Sequence, residues 1–305
     1  MITVVGSFNM DLFIEVPRFP APGETLFGKN FRHAPGGKGA NQAYTIARMG
    51  QPAAIIGALG RDAFGEEMAA NLKDVGVNTT GVVWRKDVAS GVGMVTLDAS
   101  GQNQIIVANG ANDTLAAEDV RQQAALIKQS KALVTQLETP LESVEAALML
   151  AREAGIPAIL NPAPFSPVPD ALLALCDWII PNEIEAAKLS GLEVRDGQSA
   201  ARAAAAIRKR SRCPNILVTL GANGVWIDTP HHSLHVPGFK VSAVDTVGAG
   251  DTFIGAWVTK LVEGADIREA VRFGCAAAAI AVTRRGAQAS IPTRAEVEEF
   301  LKRNN

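Results

Sequence analysis

Short apolar runs rich in β-branched residues alternate with stretches of helical period along most of this 305-residue chain, and that alternation narrows the fold more than any other feature. Residues 2–5, 53–59, 132–135, 158–160 and 216–219 read as strands, and 63–75 and 141–153 as helices. Between the first two strands, Ala40, Ala43, Tyr44 and Ala47 keep the i, i+3, i+4, i+7 spacing of a helix buried on one face, which Gly50 ends. Strand and helix in series wind into a mostly parallel sheet covered on both sides. The expected class is a doubly wound α/β fold.

Two segments break the rhythm. Residues 12–34 carry Pro17, Pro20 and Pro22 among β-formers, and 87–110 hold two short strands around a turn at 99–101. Neither can bury two faces alone, so the two are expected to form a small separate β-sheet, a lid or an oligomer contact. The core is then 1–11, 35–86 and 111–305. Ordinary edge hairpins of the main sheet are the alternative.

Composition sets the class of partner. With 48% apolar and 20% charged residues, the chain has the core of a rigid globular protein and not the make-up of a disordered or fibrous one. Its 29 Lys+Arg against 31 Asp+Glu, a formal net charge of -2, and only 5% aromatics lack the single-sign field that nucleic-acid binding uses. No nucleic-acid partner is expected. No run of about 18 apolar residues is present, and residues 2–5 follow no basic leader, so neither a membrane span nor a signal segment is expected. Cys176, Cys213 and Cys275 are odd in number and widely spaced, which suits reduced thiols packed in the core of a cytoplasmic protein.

The strongest local signal is Asp245-Thr246-Val247-Gly248-Ala249-Gly250-Asp251-Thr252-Phe253, followed by the apolar stripe Ile254, Trp257, Val258 and Leu261. A glycine-rich turn thus feeds a helix start, where free N–H groups and the helix dipole favour an anion. Asp251 stands at the mouth of that cradle. It either accepts a proton or caps the helix, and spacing alone does not choose between the two. The run is no Walker loop, and no GxGxxG follows the first strand. A second glycine cluster, Gly36-Gly37-Lys38-Gly39-Ala40-Asn41, opens another helix with a cation and an amide. Asn9 and Asp11, two apart on a strand, share one face; they suit neighbouring sugar hydroxyls or a simple strand-end turn. His231, His232 and His235 read as an exposed hairpin tip, and the dispersed Trp84, Trp178, Trp226 and Trp257 as core.

Taken in order, these residues resemble the ribokinase, or phosphofructokinase B, family of carbohydrate and nucleoside kinases. The resemblance spans nearly the whole chain. It is carried by Gly6-Ser7-Phe8-Asn9-Met10-Asp11, Pro22-Gly23-Glu24-Thr25, the GGKGANQA run at 36–43, Asn161-Pro162-Ala163-Pro164, Pro181-Asn182-Glu183-Ile184-Glu185, Thr219-Leu220-Gly221, and the runs 245–253 and 282–288.

The resemblance implies an ATP-dependent sugar kinase, with D-ribose phosphorylated at its 5-hydroxyl. Kinases of 2-deoxyribose, fructose or a nucleoside, or a noncatalytic sugar-binding regulator, are the alternatives. The sugar would lie against Asn9, Met10, Asp11, Gly37, Lys38, Gly39, Ala40, Asn41 and Glu138. Asp251 would take the hydroxyl proton while the Gly248, Ala249 and Gly250 amides steady the moving phosphoryl group. ATP would be held by Asn182, by Thr219, Leu220, Gly221, Ala222, Asn223 and Gly224, and by Gly250, Asp251 and Cys275. Mg²⁺ would be organised through water by Asn182 and Glu185. K⁺ would take Asp245, the carbonyls of Val247, Ala281, Arg284 and Gly286, and the Ser290 hydroxyl. Pairing of the small sheets would make a homodimer.

Overall fold

The computed structural model describes residues 1–100 and 102–304; Gly101, in the expected turn at 99–101, and Asn305 lie outside them. The strands in chain order are β1 (Ile2–Val5), β2 (Asn9–Glu15), β3 (Lys29–Gly36), β4 (Ala53–Gly60), β5 (Asn78–Arg85), β6 (Gly91–Leu97) and β7 (Asn103–Ala108). The second half adds β8 (Ala132–Thr135), β9 (Ala158–Leu160), β10 (Trp178–Ile179), β11 (Asn215–Thr219), β12 (Val225–Asp228) and β13 (Ser233–Val236). Nine of them form one sheet in the order β13-β12-β11-β10-β9-β8-β1-β4-β5, parallel except at β12 and β13.

The central strands are apolar on both faces because helices cover both. Ile2 and Val4 of β1 pack with Ile46, Met68, Trp257 and Val271 from the helices Lys38–Arg48, Ala63–Asp74, Ala249–Val262 and Ile267–Ala281. Val5, on the other face, joins Ala147, Leu148, Ala203 and Ile207 from Leu141–Ala154 and Gly197–Ser211. Each face is a continuous dry layer, the arrangement a parallel sheet needs. Trp257 is fully buried and meets Trp178 edge-on at 4.9 Å, whereas Trp84, Trp178 and Trp226 are only half-buried. Cys176, Cys213 and Cys275 are buried free thiols.

From β1 the chain winds outward through β4 and β5, then returns to β8 on the opposite side of β1 and winds the other way. The crevice beyond the carboxyl ends of β1 and β8 is therefore a topological switch point, where open α/β sheets bind ligands.

The remaining strands form a separate four-stranded sheet, β3-β2-β6-β7, and not edge hairpins of the main one. It reaches further than the sequence suggested. Asn9 pairs with Gly36 and with Gly91, so residues 9–11 and 35–36, expected in the core, belong to this second sheet. Exposed apolar side chains, among them Phe31, Met94, Ile105 and Ile106, stud it. His231 and His232 sit in the turn between β12 and β13, and His235 follows on β13.

Candidate active site

The helix Ala249–Val262 starts unlike its neighbours. Asn182, Asp196 and Thr293 cap their helices with side-chain oxygens, but here the cap is Gly248, at φ 74, with no side chain to offer. Ala249 N–H reaches Thr246 O at 3.3 Å and Thr252 N–H is taken by Gly248 O, which leaves the Gly250 and Asp251 amides without acceptors among the described residues. Two free donors and the positive end of a helix dipole thus face one space. That space is a cavity of about 200 Å³ lined by Lys38, Asn182, Glu185, Gly248, Gly250 and Asp251, among others.

Asp251 does not cap the helix; it turns inward. Asn41 donates to its Oδ2 at 3.0 Å and Gln42 to its Oδ1 at 2.9 Å. Neither amide is free to turn round, because Asn41 Oδ1 accepts from Gln288 (3.2 Å) and Gln42 Oε1 from Gln136 (2.6 Å). A buried chain of amides therefore clamps both carboxylate oxygens and fixes which lone pairs remain open.

Gly37 makes the opposing wall possible. Its φ is 88°, and a Cβ there would lie 2.6 Å from Asn9 N and 2.8 Å from Phe8 Cα. Only glycine lets β3 turn into the helix Lys38–Arg48 so close to the start of β2. At the switch point, Glu138 Oε2 accepts from the Ser7 hydroxyl and from Lys38 N–H, the latter at 3.0 Å. Burial is the largest single influence on the Lys38 ammonium and pulls its pKa down, but the carboxylates of Asp251, Glu138 and Glu185 outweigh it and hold the pKa above its usual value. The cation is thus secured on the wall of the small cavity.

On β2 the side chains of Asn9 and Asp11 share a face, and Met10 points the opposite way with no exposed surface. Met10 is core and offers a ligand nothing. Ala40 is likewise 1% exposed, and Gly39 lies under the backbone of Gly6 and Ser7, so the 37–41 segment meets the site through Lys38 and Asn41. The Asp11 carboxylate stands where Cβ atoms on Gly36 and Gly93 would intrude, at 2.4 and 2.5 Å. Burial, then Glu138 and Asp251, push its pKa from 3.8 up to about 7.

That shift predicts a pH-dependent penalty. Between about pH 4 and pH 7 the folded protein keeps a proton that the unfolded chain releases, so stability falls as pH rises through that window and then levels. Asp11→Asn removes the penalty. Its melting temperature is expected to exceed that of the wild type at pH 8 and to lose most of that margin by pH 5; a margin independent of pH contradicts the assignment.

A second cavity, of about 470 Å³, adjoins the first and shares Asn182, Thr219, Thr246, Ala249 and Gly250 with it. Gly221, Ala222 and Gly224 line one side; Val225, Phe239, Val241, Phe253, Cys275, Ala278 and Val282 give the slot an apolar surface, and Glu183 and Lys240 also line it. Burial pushes the Cys275 thiol up to about 12, so it acts there as an apolar surface. Leu220, 3% exposed, is packed beneath the turn, and Asn223 lies on its outer side, where its carbonyl meets His235 Nε2 at 2.6 Å; neither lines the slot. Sequence reasoning missed Phe239 and Val241, which carry no motif.

Asn182 and Glu185 close a reciprocal cap on each other, and Glu185, 6% exposed, keeps its carboxylate on the smaller cavity. Burial foremost raises its pKa, opposed by the Asn182 amide and Lys38. Asp245 ties two loops together by accepting from Val247 N (3.0 Å) and Gly286 N (2.9 Å). Ser290 donates to Ala287 O, and its oxygen accepts no hydrogen bond among the described residues; the Arg284 side chain pairs with Glu296. Among the described residues no cluster of three His, Cys, Asp or Glu side chains could hold a metal by itself, and no helix is long and apolar enough to cross a membrane.

Residues 1–294 match the profile described as pfkB family carbohydrate kinase. The chain is 46% identical over 301 residues to a ribokinase of Haemophilus influenzae, covering 99% of this chain and 98% of the relative. It is also 37% identical over 304 residues, 99% of both chains, to a deoxyribokinase of Salmonella typhi. Its backbone superposes on that of Arabidopsis thaliana ribokinase complexed with ribose and ATP, with a TM-score of 0.91, 32% identity, and 99% and 98% of the two chains covered.

Proposed function

Since the chain belongs to the pfkB family of carbohydrate kinases, we propose that it transfers the γ-phosphoryl group of ATP to the 5-hydroxyl of D-ribose, giving D-ribose 5-phosphate and ADP. The observation that carries this reading is the uncapped helix start, with Asp251 clamped beside two unused amides at the junction of the two cavities. The apolar slot suits an adenine ring, and the residues shared by the two cavities support a path for its phosphates past Gly250. Asp251 then accepts the proton of the primary hydroxyl as the new P–O bond forms. The free Gly250 and Asp251 amides and Lys38 balance charge on the transferred oxygens, so the protein acts by placement and electrostatics and forms no covalent intermediate.

Ribose is favoured over other sugars by Asn9 and Asp11, a donor-capable amide and a carboxylate two residues apart on one face. With the 5-hydroxyl at Asp251, a ribofuranose ring offers only its 1-, 2- and 3-hydroxyls to that pair. Every vicinal pair among them contains the 2-hydroxyl. A 2-deoxy sugar therefore leaves one buried polar partner unmatched, which costs far more than a lost apolar contact.

The residues present fit the metals such chemistry uses. Glu185 and Asn182 retain lone pairs on the smaller cavity and would hold Mg²⁺ through water; when bound, it neutralises phosphate charge. Asp245, the carbonyls of Val247, Ala281, Arg284 and Gly286, and Ser290 are oxygen donors of the kind that would hold K⁺, and Asp245 ties residues 245–247 to Gly286. The exposed apolar side chains of the second sheet support its role as a lid that also joins two subunits, and three free buried thiols support a reducing cytoplasm.

ADP release at fixed ATP with a panel of sugars tests the reading. D-ribose is expected to lead, with 2-deoxyribose lower in kcat/KM by about 10²-fold or more. Equal efficiency with 2-deoxyribose or fructose overturns the substrate, and no sugar-dependent release from folded protein supports the noncatalytic regulator.

A further inference from the structure

We propose that Asn112, outside the runs that carry the family resemblance, is the positioning residue that sets the sugar preference of this site, by fixing which end of the Asn9 carboxamide faces the sugar. The inference rests on the reading of the preceding section.

Asn112 is 1% exposed and lies in the turn of 3-10 helix after β7. Its Oδ1 accepts from Phe8 N–H at 2.9 Å and its Nδ2 donates to Phe8 C=O at 2.8 Å. A backbone N–H can only donate and a carbonyl only accept, so the polarity of this amide is not adjustable. Its second N–H points at Asn9, 3.0 Å away, and the atom that meets a donor must be Oδ1. Gly91 makes room for this junction: a Cβ there would fall 2.3 Å from Asn9 Oδ1 and 2.4 Å from Asn112 Nδ2.

The consequence reaches the site. With Oδ1 occupied, Asn9 presents Nδ2, which has no acceptor among the described residues and is not sealed from solvent. Asp11, two residues on, has no hydrogen-bond donor among the described residues and, above its pKa of about 7, presents an ionised carboxylate. The pair therefore reads one hydroxyl as acceptor and its neighbour as donor. Were the Asn9 amide reversed, two acceptors would face the diol, and discrimination against the 2-deoxy sugar would weaken.

Asn112→Asp keeps size and the acceptor for Phe8 N–H but removes the NH₂ group that donates to Phe8 C=O and holds Asn9. The ratio of kcat/KM for D-ribose to that for 2-deoxyribose is expected to fall about tenfold or more, through a higher KM for ribose with its kcat little changed. Asn112→Ala, which leaves Asn9 unfixed, is expected to shift the ratio the same way. A merely structural role would lower both sugars alike, so an unchanged ratio in folded variants overturns the proposal. In the wild-type protein, the Asn9 side-chain NH₂ signal in ¹⁵N NMR, assigned by its loss in Asn9→Asp, is expected to move on adding D-ribose; a signal that stays put while ribose binds also overturns it. Turnover of neither pentose by the wild type contradicts the preceding section instead, and the NMR titration then decides the role of Asn112 on binding alone.

Discussion

Asp251→Asn is expected to lower kcat about 10² to 10⁴-fold while the sugar still binds, the usual size of a lost general base. The substitution keeps the shape of the side chain, yet the surrounding amides make it less innocent than its size suggests. Asn41 and Gln42 both present N–H groups to the carboxylate, and each is held in that orientation by Gln288 or Gln136. An asparagine must turn its own NH₂ toward one of them. One buried hydrogen bond becomes a donor facing a donor, at about 1–3 kcal/mol. A modest fall in melting temperature should thus accompany the large fall in turnover. Binding of ribose to the variant by calorimetry separates the two effects, and a variant with comparable kcat removes Asp251 from the chemistry.

Gly250→Ala is expected to separate stability from activity in the opposite sense. Gly250 lies in the first turn of its helix, at an ordinary φ, with nothing within 4 Å of where a Cβ would stand. By conformational entropy alone alanine there is neutral or stabilising, so the melting temperature should hold or rise by up to about 2 °C. The empty volume is, however, the junction shared by the two cavities. A methyl group in that junction displaces the phosphates from the amides, and a misplacement on the order of 1 Å can cost 10²-fold in rate. Activity close to wild type in a protein of unchanged stability would mean that the phosphates travel elsewhere.

These expectations show which parts of the molecule a sequence can disclose. The parallel sheet was legible because β-branched runs and i, i+3, i+4 stripes are local signals, and so was the helix start at 249, where Gly248 stands in place of a capping side chain. The period of two on β2 placed Asn9 and Asp11 together, but the same period turns Met10 into the core, which a motif read as a continuous string cannot register. Residues that act through partners far along the chain were out of reach. Gln42 meets Gln136 across 94 positions, Asn9 meets Asn112 across 103, and Asn41 meets Gln288 across 247. The first depends on β8 lying beside β1, the second on β2 pairing with β6, and the third on how the segment after the helix Ile267–Ala281 packs on the helix Lys38–Arg48, and no local pattern encodes these. The split between core and second sheet fell short for a related reason, since β2 is continuous in character and only its pairing with Gly36 and Gly91 assigns Asn9 to the smaller sheet.

The position of the phosphate on the product tests the central claim most directly. With D-ribose, ATP and Mg²⁺, ³¹P NMR is expected to show a single phosphomonoester on C5, formed with ADP in equal amount and about 10² to 10⁴-fold more slowly when Asp251 is replaced by asparagine. A phosphate on C1, or ADP formed at the same rate without sugar, would contradict the account.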